Sequence, residues 1–501
     1  MNSIGLKRFF IYSIIYITFC AGITILTIIN TNSGIKLSIS MILLSFIILI
    51  VLYTILKIGI RRSLPLAFFT TLAFNVEVAL LGDAFDSTHT GGLRANLTLT
   101  HVYLIVVMWF FTDLLNKKNK KNTRLKAISK VNFEFVFFFL YFLTSVLSLY
   151  VAVNKIAAIY VLIRILFLVL LYYLLSRYRL KEAWPLFIAG IVFTVCTQLA
   201  IGIGQLITND SIGLAVLGEN QNPFRGGTEG LERGISGTLG HPGTFAIFLT
   251  LIFPILLTQL LTTKKQMEKY FIILSLIVGI LAIFLSSART SIVIVLVGSI
   301  FIILFNLWFR NRENLNTNRI FRFGLLFLFI VIIGASFIID EIVSRFVASD
   351  FIFQILERNR IAQLALDIIF ESPKNILLGV GLNNYTDIIS SKGTGFIYSH
   401  PVHNFYLLLW AEAGIFNLVS FILILFFSIR KMLFIVRKGK LDLANKALGI
   451  LISLMSLVFY NFTGWSNNHN QIFILFFTLI IFSNLIFNEF KNHDRKDVRQ
   501  I

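Results

Sequence analysis

Apolar positions along this chain come in long unbroken runs, not in the alternation of a half-buried strand. Examples are "FFIYSIIYITFCAGITILTII" from position 9, "FEFVFFFLYFLTSVLSLYVAV" from 133 and "IFILFFTLIIFSNLIF" from 472. A run of about 20 apolar residues crosses the hydrocarbon layer as a helix, because a helix satisfies its own backbone polar groups where no water can. The pattern predicts fourteen such spans, at about 9–29, 36–60, 64–82, 97–115, 131–152, 156–175, 184–207, 242–261, 270–287, 290–309, 323–339, 403–428, 444–463 and 471–488. The expected fold is therefore all-α, a polytopic helical bundle forming one membrane domain over 1–501, with the lipid bilayer as its solvent.

Composition agrees: of 501 residues, 57% are hydrophobic and only 14% charged, too apolar for a soluble globule. The net charge of +20 would point to nucleic acid in a soluble protein. Here topology accounts for it, and no nucleic-acid partner is expected. The basic segments "KR" at 7–8, "RR" at 61–62, "KKNKKNTRLKAISK", "SRYRLKE", "TTKKQMEK", "RNRENLNTNRIFR", "RKMLFIVRKGK" and "KNHDRKDVRQ" fall at every second connection. Together they hold about 30 of the 44 Lys and Arg. That regularity predicts both termini on the cytoplasmic side, and the first span, which lacks a small-residue cleavage site, is expected to be uncleaved. Glu134 and Asp113 are expected at solvated inner helix ends. Cys20 and Cys196 lie in separate apolar runs without metal or redox spacing.

Among the outside connections three are long, at 82–96, 208–241 and 340–402. The last is long enough to need elements of its own. From Gln354 to Phe370, Ile361, Leu364, Ala365, Ile368 and Ile369 share one helical stripe and Arg360, Gln363 and Asp367 another, which predicts an amphipathic helix on the outer surface. Ser372-Pro373 should end it, and "LLGVGLNNY" should bring the chain back to the membrane.

Chemistry is expected where polar residues defy this plan. "SHPVHNFYLLLWAEAGIFN" places His400 and His403 at the mouth of a span. On a continuous helix Gly414 returns to within about 20° of His403 and Asn417 to within about 40°, so a histidine and a small residue share a face while Glu412 lies nearly opposite. Histidine titrates near neutrality and suits proton acceptance from a hydroxyl; an interfacial histidine bonded to a loop carbonyl is the alternative. Arg289 in "SSARTS" and Arg164 within an apolar run break the inside rule for basic residues, as do Arg225, Arg233, Arg358 and Arg360. A guanidinium fork matches phosphate oxygens, so several near the outer leaflet could clamp a pyrophosphate; snorkelling to headgroups is the alternative reading. "GTLGHPGTFAIF" adds a flexible glycine turn leading through His241 into a span. No nucleotide-binding loop or metal-ligand spacing is present, and neither cofactor nor metal is expected.

In order, "GTLGHPGTFAIFLTLIFPILL", "FLSSARTS", "RIAQLALDIIFESPKNILLGVGLNNY" and "HPVHNFYLLLWAEAGIFN" resemble the O-antigen ligase/polymerase family of bacterial membrane glycosyltransferases, over roughly 235–430. Ligases carry His, then Asn, Ser or Gln, nine residues, Gly, two residues, and Gly, Thr or Tyr. His403-Asn404 and Gly414 match that spacing, while Asn417 departs from it at the last position. The resemblance implies a glycosyltransferase C-like fold with its site at the outer face of the bacterial cytoplasmic membrane. The implied donor is an oligosaccharide on undecaprenyl pyrophosphate, and the acceptor a hydroxyl of a glycan, lipid or protein, reached with inversion and without metal. By the same resemblance His403 is the base, and Arg289 with Arg164, Arg360 and Arg233 holds the pyrophosphate. His241, His400, Asn404 and Gly414 bind substrate or shape the site. Richness in Ile, Lys, Asn and Phe suggests an AT-rich genome, and with it a bacterium lacking an outer membrane, which favours polymerisation of surface-polysaccharide repeat units. Ligation, protein O-glycosylation, or a lipid-linked glycan flippase or other transporter are the alternatives.

Overall fold

In the computed structural model the described residues are 59–81, 97–117, 133–220, 222, 234–312, 350–393, 400–465 and 468–497. Their elements run α1 (Ile60–Thr70), β1 (Glu77–Leu81), β2 (Leu97–Thr100), α2 (His101–Lys117), α3 (Phe133–Ser148), α4 (Lys155–Ser176), α5 (Leu180–Thr208), α6 (Pro242–Thr262), α7 (Gln266–Leu285), α8 (Arg289–Arg312), α9 (Asp350–Phe370), α10 (Pro373–Leu378), α11 (Tyr385–Lys392), α12 (Phe405–Lys438), α13 (Leu441–Asn461) and α14 (Asn470–Asp497). Eight of these, α4 to α8 and α12 to α14, are long and apolar enough to cross a membrane; α2 and α3 are shorter apolar helices. The expected spans at 9–29 and 323–339, and nearly all of 36–60, lie outside the described residues.

One span differs. The window 64–82 averages over a break: α1 stops after 11 residues and the chain turns into β1, which pairs antiparallel with β2. At that end the Thr70 and Thr71 hydroxyls both donate to the Ala67 carbonyl (2.9 and 2.8 Å), and Phe74 N donates to Thr71 O at 3.0 Å as the chain turns away.

Within the bundle α6 and α14 are central. Each is 94% buried over its apolar window, against 39% for α8, whose Phe301, Leu304 and Trp308 face outward. Polar side chains bind helix to helix where lipid gives no apolar drive to associate. Asn417 of α12 donates to Tyr141 O, Thr144 Oγ1 and Ser145 Oγ of α3 at 2.9 to 3.0 Å. Ser453 Oγ of α13 donates to Leu251 O of α6 at 2.6 Å. Glu134, expected at a solvated end, is instead 2% exposed and ion-paired with Lys431, which also donates to Asn484 Oδ1. Asp113 pairs with Arg177 at 3.2 Å. Both carboxylates had cationic partners that only tertiary structure brings near.

The amphipathic stripe on α9 is present, with Ile361, Ala365, Ile368 and Ile369 at most 1% exposed. They pack against Tyr385, Ile389, Val402, Leu408 and Ala411 in a cluster separate from the main core. The stripe thus faces protein. Ser372 ends the helix as expected and caps α10, its Oγ accepting from Asn375 N at 3.1 Å.

The predicted straight helix from His403 is kinked. Gly414 has φ 80°, ψ 173° inside α12, a region essentially reserved for glycine. The kink frees carbonyls, and "LLGVGLNNY" takes them: Val380 N donates to Ala411 O (2.8 Å) and Gly381 N to Glu412 O (2.9 Å). A Cβ on Gly414 would lie 2.0 Å from Leu377 O, and one on Gly379 2.3 Å from Glu412 C. The close backbone approach expected at Gly414 is real, but its partner is α10, and the kink separates Asn417 from the His403 face. Gly414→Ala meets both the strained φ and this collision; it should destabilise the fold by about 3 kcal/mol or more, read as a large fall in Tm. A shift within a degree or two would show that the kink is dispensable.

Candidate functional site

Several helix starts converge at one end of the bundle. His241 is the N-cap of α6, its Nδ1 accepting from Gly243 N at 3.0 Å. Asn404 caps α12, its Oδ1 accepting from Tyr406 N (3.0 Å) and Leu407 N (3.2 Å). That assignment gives Asn404 a structural task and fixes His403 just ahead of the span. His469 immediately precedes α14. The loop before α14 closes the gap: Phe405 N donates to Gly464 O at 3.1 Å, and the Trp465 ring meets His403 edge-on, centroids 4.2 Å apart.

His403 is half-buried, and its Nδ1 is enclosed with no hydrogen-bond partner among the described residues. Burial, then the charge of Arg358, then the imidazoles of His400 and His241, lower it from the ordinary 6.5 to about 3. His469 is lowered to about 3 as well, by burial and then by His241 and Arg164. Four histidines and two arginines therefore share one electrostatic neighbourhood, with both shifted imidazoles neutral at physiological pH.

Arg358, in the sequence one of several outside arginines with nothing to single it out, is the one that acts on His403. It and Arg360 are both exposed on α9, but two residues turn a helix by about 200°, and Arg358 is the one whose charge reaches His403. The alternation of α9 could have revealed this, since Arg358 lies nearer the buried stripe that starts at Ile361. Arg289 opens α8 and is half-buried; Ser287, two residues before it, is left-handed (φ 57°). Ile235 N donates to Leu285 O at 3.0 Å, tying this turn to the segment that leads to His241. Arg233 lies outside the described residues.

Arg164 is deeper than a headgroup-facing residue, at 2% exposure. Its Nη2 donates to Asn468 O at 3.0 Å, and its guanidinium lies 4.8 Å from the Phe473 ring centroid. Across a cavity of about 10 Å3, room for about one water, it faces Glu412. Glu412 is 3% exposed, and its Oε1 accepts from Tyr385 N at 3.3 Å at the start of α11. Its companion Tyr385 is pushed up by burial and by the Glu412 charge. The sequence showed Glu412 only as a residue opposite His403; its partners are backbone amides some thirty positions earlier.

The glycine turn before His241 is pinned and not flexible. Gln205 Nε2 donates to Gly237 O (3.0 Å) and its Oε1 accepts from Gly237 N (3.1 Å). Gln198 does the same for Thr238, through Thr238 Oγ1 (2.7 Å) and Thr238 N (3.0 Å). Two glutamines seven apart in an apolar run lie on one helix face, a signal that was available in "TQLAIGIGQ".

Fold and site together define a polytopic helical membrane protein with a histidine- and arginine-bearing site at one end of its bundle. Residues 274–422 match the model of the O-antigen ligase family, so the resemblance read from the sequence is shown over that stretch, which carries Arg289, Arg358, His400 and His403. No curated protein matches the chain.

Because His403 and His469 are neutral when folded yet titrate normally when unfolded, acid favours the unfolded chain. Their stability contribution is intact above about pH 6.5 and is lost as pH falls toward about 3. The Tm in detergent should drop across that window, less steeply in His403→Gln; equal slopes would place the coupling elsewhere.

Proposed function

We propose that this chain is an integral-membrane glycosyltransferase that moves a glycan from undecaprenyl pyrophosphate to an acceptor hydroxyl at the outer face of the bacterial cytoplasmic membrane. The observation that carries the reading is the imidazole of His403, enclosed at Nδ1 against the Trp465 ring and under the electrostatic influence of Arg358, His400 and His241, inside the family-matched stretch. In the proposed step the acceptor oxygen bonds to the anomeric carbon as the bond to the pyrophosphate oxygen breaks. The hydroxyl proton passes to His403, and the lipid pyrophosphate departs with the electron pair. A single displacement inverts the anomeric centre. Arg358 and Arg289 supply fixed positive charge where the leaving group gains negative charge; Arg233 and Arg360 are further candidates for that task, and Arg164 underpins the site from below. The donor is already activated, so no nucleotide is consumed. We favour another repeat unit as acceptor, hence polymerisation, on the compositional ground given above; both termini are read as cytoplasmic.

Purified full chain in lipid, given an undecaprenyl-pyrophosphate oligosaccharide, should produce extended lipid-linked glycan. His403→Ala should reduce turnover by at least about 100-fold with Tm unchanged, and Arg358→Ala should raise KM more than it lowers kcat. Full activity in His403→Ala would sink the assignment of the base. Movement of the donor across the bilayer without a new glycosidic bond would replace the enzyme by a transporter. Because kcat/KM reports the free enzyme, its pH profile should lack an acid limb near 6.5, the limb lying well below.

A further inference from the structure

The bundle end opposite the histidines holds a cavity of about 600 Å3, opening between the start of α5, the end of α6, the end of α12, the start of α13 and the end of α14. Four lysines line it, Lys181, Lys438, Lys440 and Lys446, against two carboxylates, Asp442 and Glu489, an excess of two positive charges. A preference for basic residues at cytoplasmic helix ends, and the negative end of the α12 dipole, explain the sign of these side chains. They do not explain why the charges surround a void. Some of the lining is already committed: Lys446 pairs with Asp442. Trp184 Nε1 donates to Gln259 Oε1 (2.9 Å), whose Nε2 donates to Glu268 (3.0 Å). Lys181 and Lys438 are exposed at the rim.

The walls are apolar. Trp184, Phe434 and Phe490 contribute rings, and Phe434, 48% exposed, leads from the cavity onto an outward face of α12 that continues through Leu433 (41%) and Phe426 (54%). A free phosphate would use the lysines and leave this path empty. A molecule with an anionic head and an acyl chain uses both.

We propose that this cavity is a site for one anionic phospholipid of the leaflet at that end of the bundle. Its phosphate is held by Lys181 and Lys438, and its acyl chain runs along Phe434 and Leu433. Basic pockets between transmembrane helices recognise lipid headgroups through this combination of charge and interfacial depth. The site is independent of the proposed transfer reaction and lies at the other end of the helices from His403.

Native mass spectrometry of the intact chain tests it, with phosphatidylglycerol, phosphatidylcholine and inorganic phosphate as separate probes. Phosphatidylglycerol should give a persistent adduct of one lipid and phosphatidylcholine none. Lys181→Ala with Lys438→Ala should weaken that adduct by about tenfold or more, while Lys181→Arg with Lys438→Arg retains it; Tm of each variant checks folding. Equal retention of both lipids, or an adduct indifferent to the alanine pair, would overturn the proposal. Displacement of phosphatidylglycerol by inorganic phosphate, with phosphate binding alone, would make it a soluble-anion site and overturn it equally.

Discussion

The backbone exchange at the Gly414 kink is the constraint on which the site end of this bundle depends. A broken helix inside a membrane leaves carbonyls that water cannot satisfy, at a cost of several kcal/mol each if they stay bare. Here Val380 and Gly381 supply the missing donors, and they reach them because neither Gly379 nor Gly414 carries a side chain at the crossing. The first turns of α12, which carry Asn404 and follow His403, are thereby aimed independently of the rest of that helix. The same exchange anchors α10 and α11, and through the cluster around Ile361 and Tyr385 it holds α9 against α12. Arg358 is delivered to His403 by a chain of contacts that begins at a glycine pair.

Around that joint, buried polar groups do the work that hydrophobicity cannot do in lipid. Asn417 ties the lower part of α12 to α3, and Gln198 with Gln205 fixes the turn ahead of His241. Glu412 holds the start of α11 and shares a small cavity with Arg164, whose other contact is the loop that carries Trp465 and precedes His469. Each of these side chains would be costly alone. Together they tie to one another the segments that carry and support the rim.

Much of the fold was legible from hydropathy because every span is a long apolar run, and Ser372-Pro373 and the α9 stripe marked local structure correctly. The break after Thr70 was hidden because a window average runs through a short strand as apolar as the helix before it. Gly414 was legible as a point of close approach, but its φ was not, since periodicity assumes the helix continues. Site residues near one another in sequence, His400, His403 and Asn404, could be read together. Arg358 and Trp465 could not, because only the packing of α9 and of the segment after α13 brings them to His403. Glu134 misled for the same reason: a carboxylate at a helix end looks solvated until a distant cation, here Lys431, is placed beside it, whereas Asp113 does stay partly exposed near its helix end.

Electrostatics give the rim a direction. In the ligand-free chain His403 is neutral because burial and Arg358 both penalise its protonation. A pyrophosphate drawn to Arg358 would offset the second of these influences, since a negative charge nearby favours the imidazolium. On the proposed reading the base therefore strengthens only when the donor is in place. Proton transfer from the acceptor hydroxyl is then favoured at the moment when the leaving group is bound, and disfavoured in its absence. On α9 it is the charge of Arg358, about 200° around the helix from Arg360, that shifts His403. A site built this way suppresses proton uptake without donor, and it does so with two residues whose relation depends on the α9 and α12 docking that the glycine pair permits.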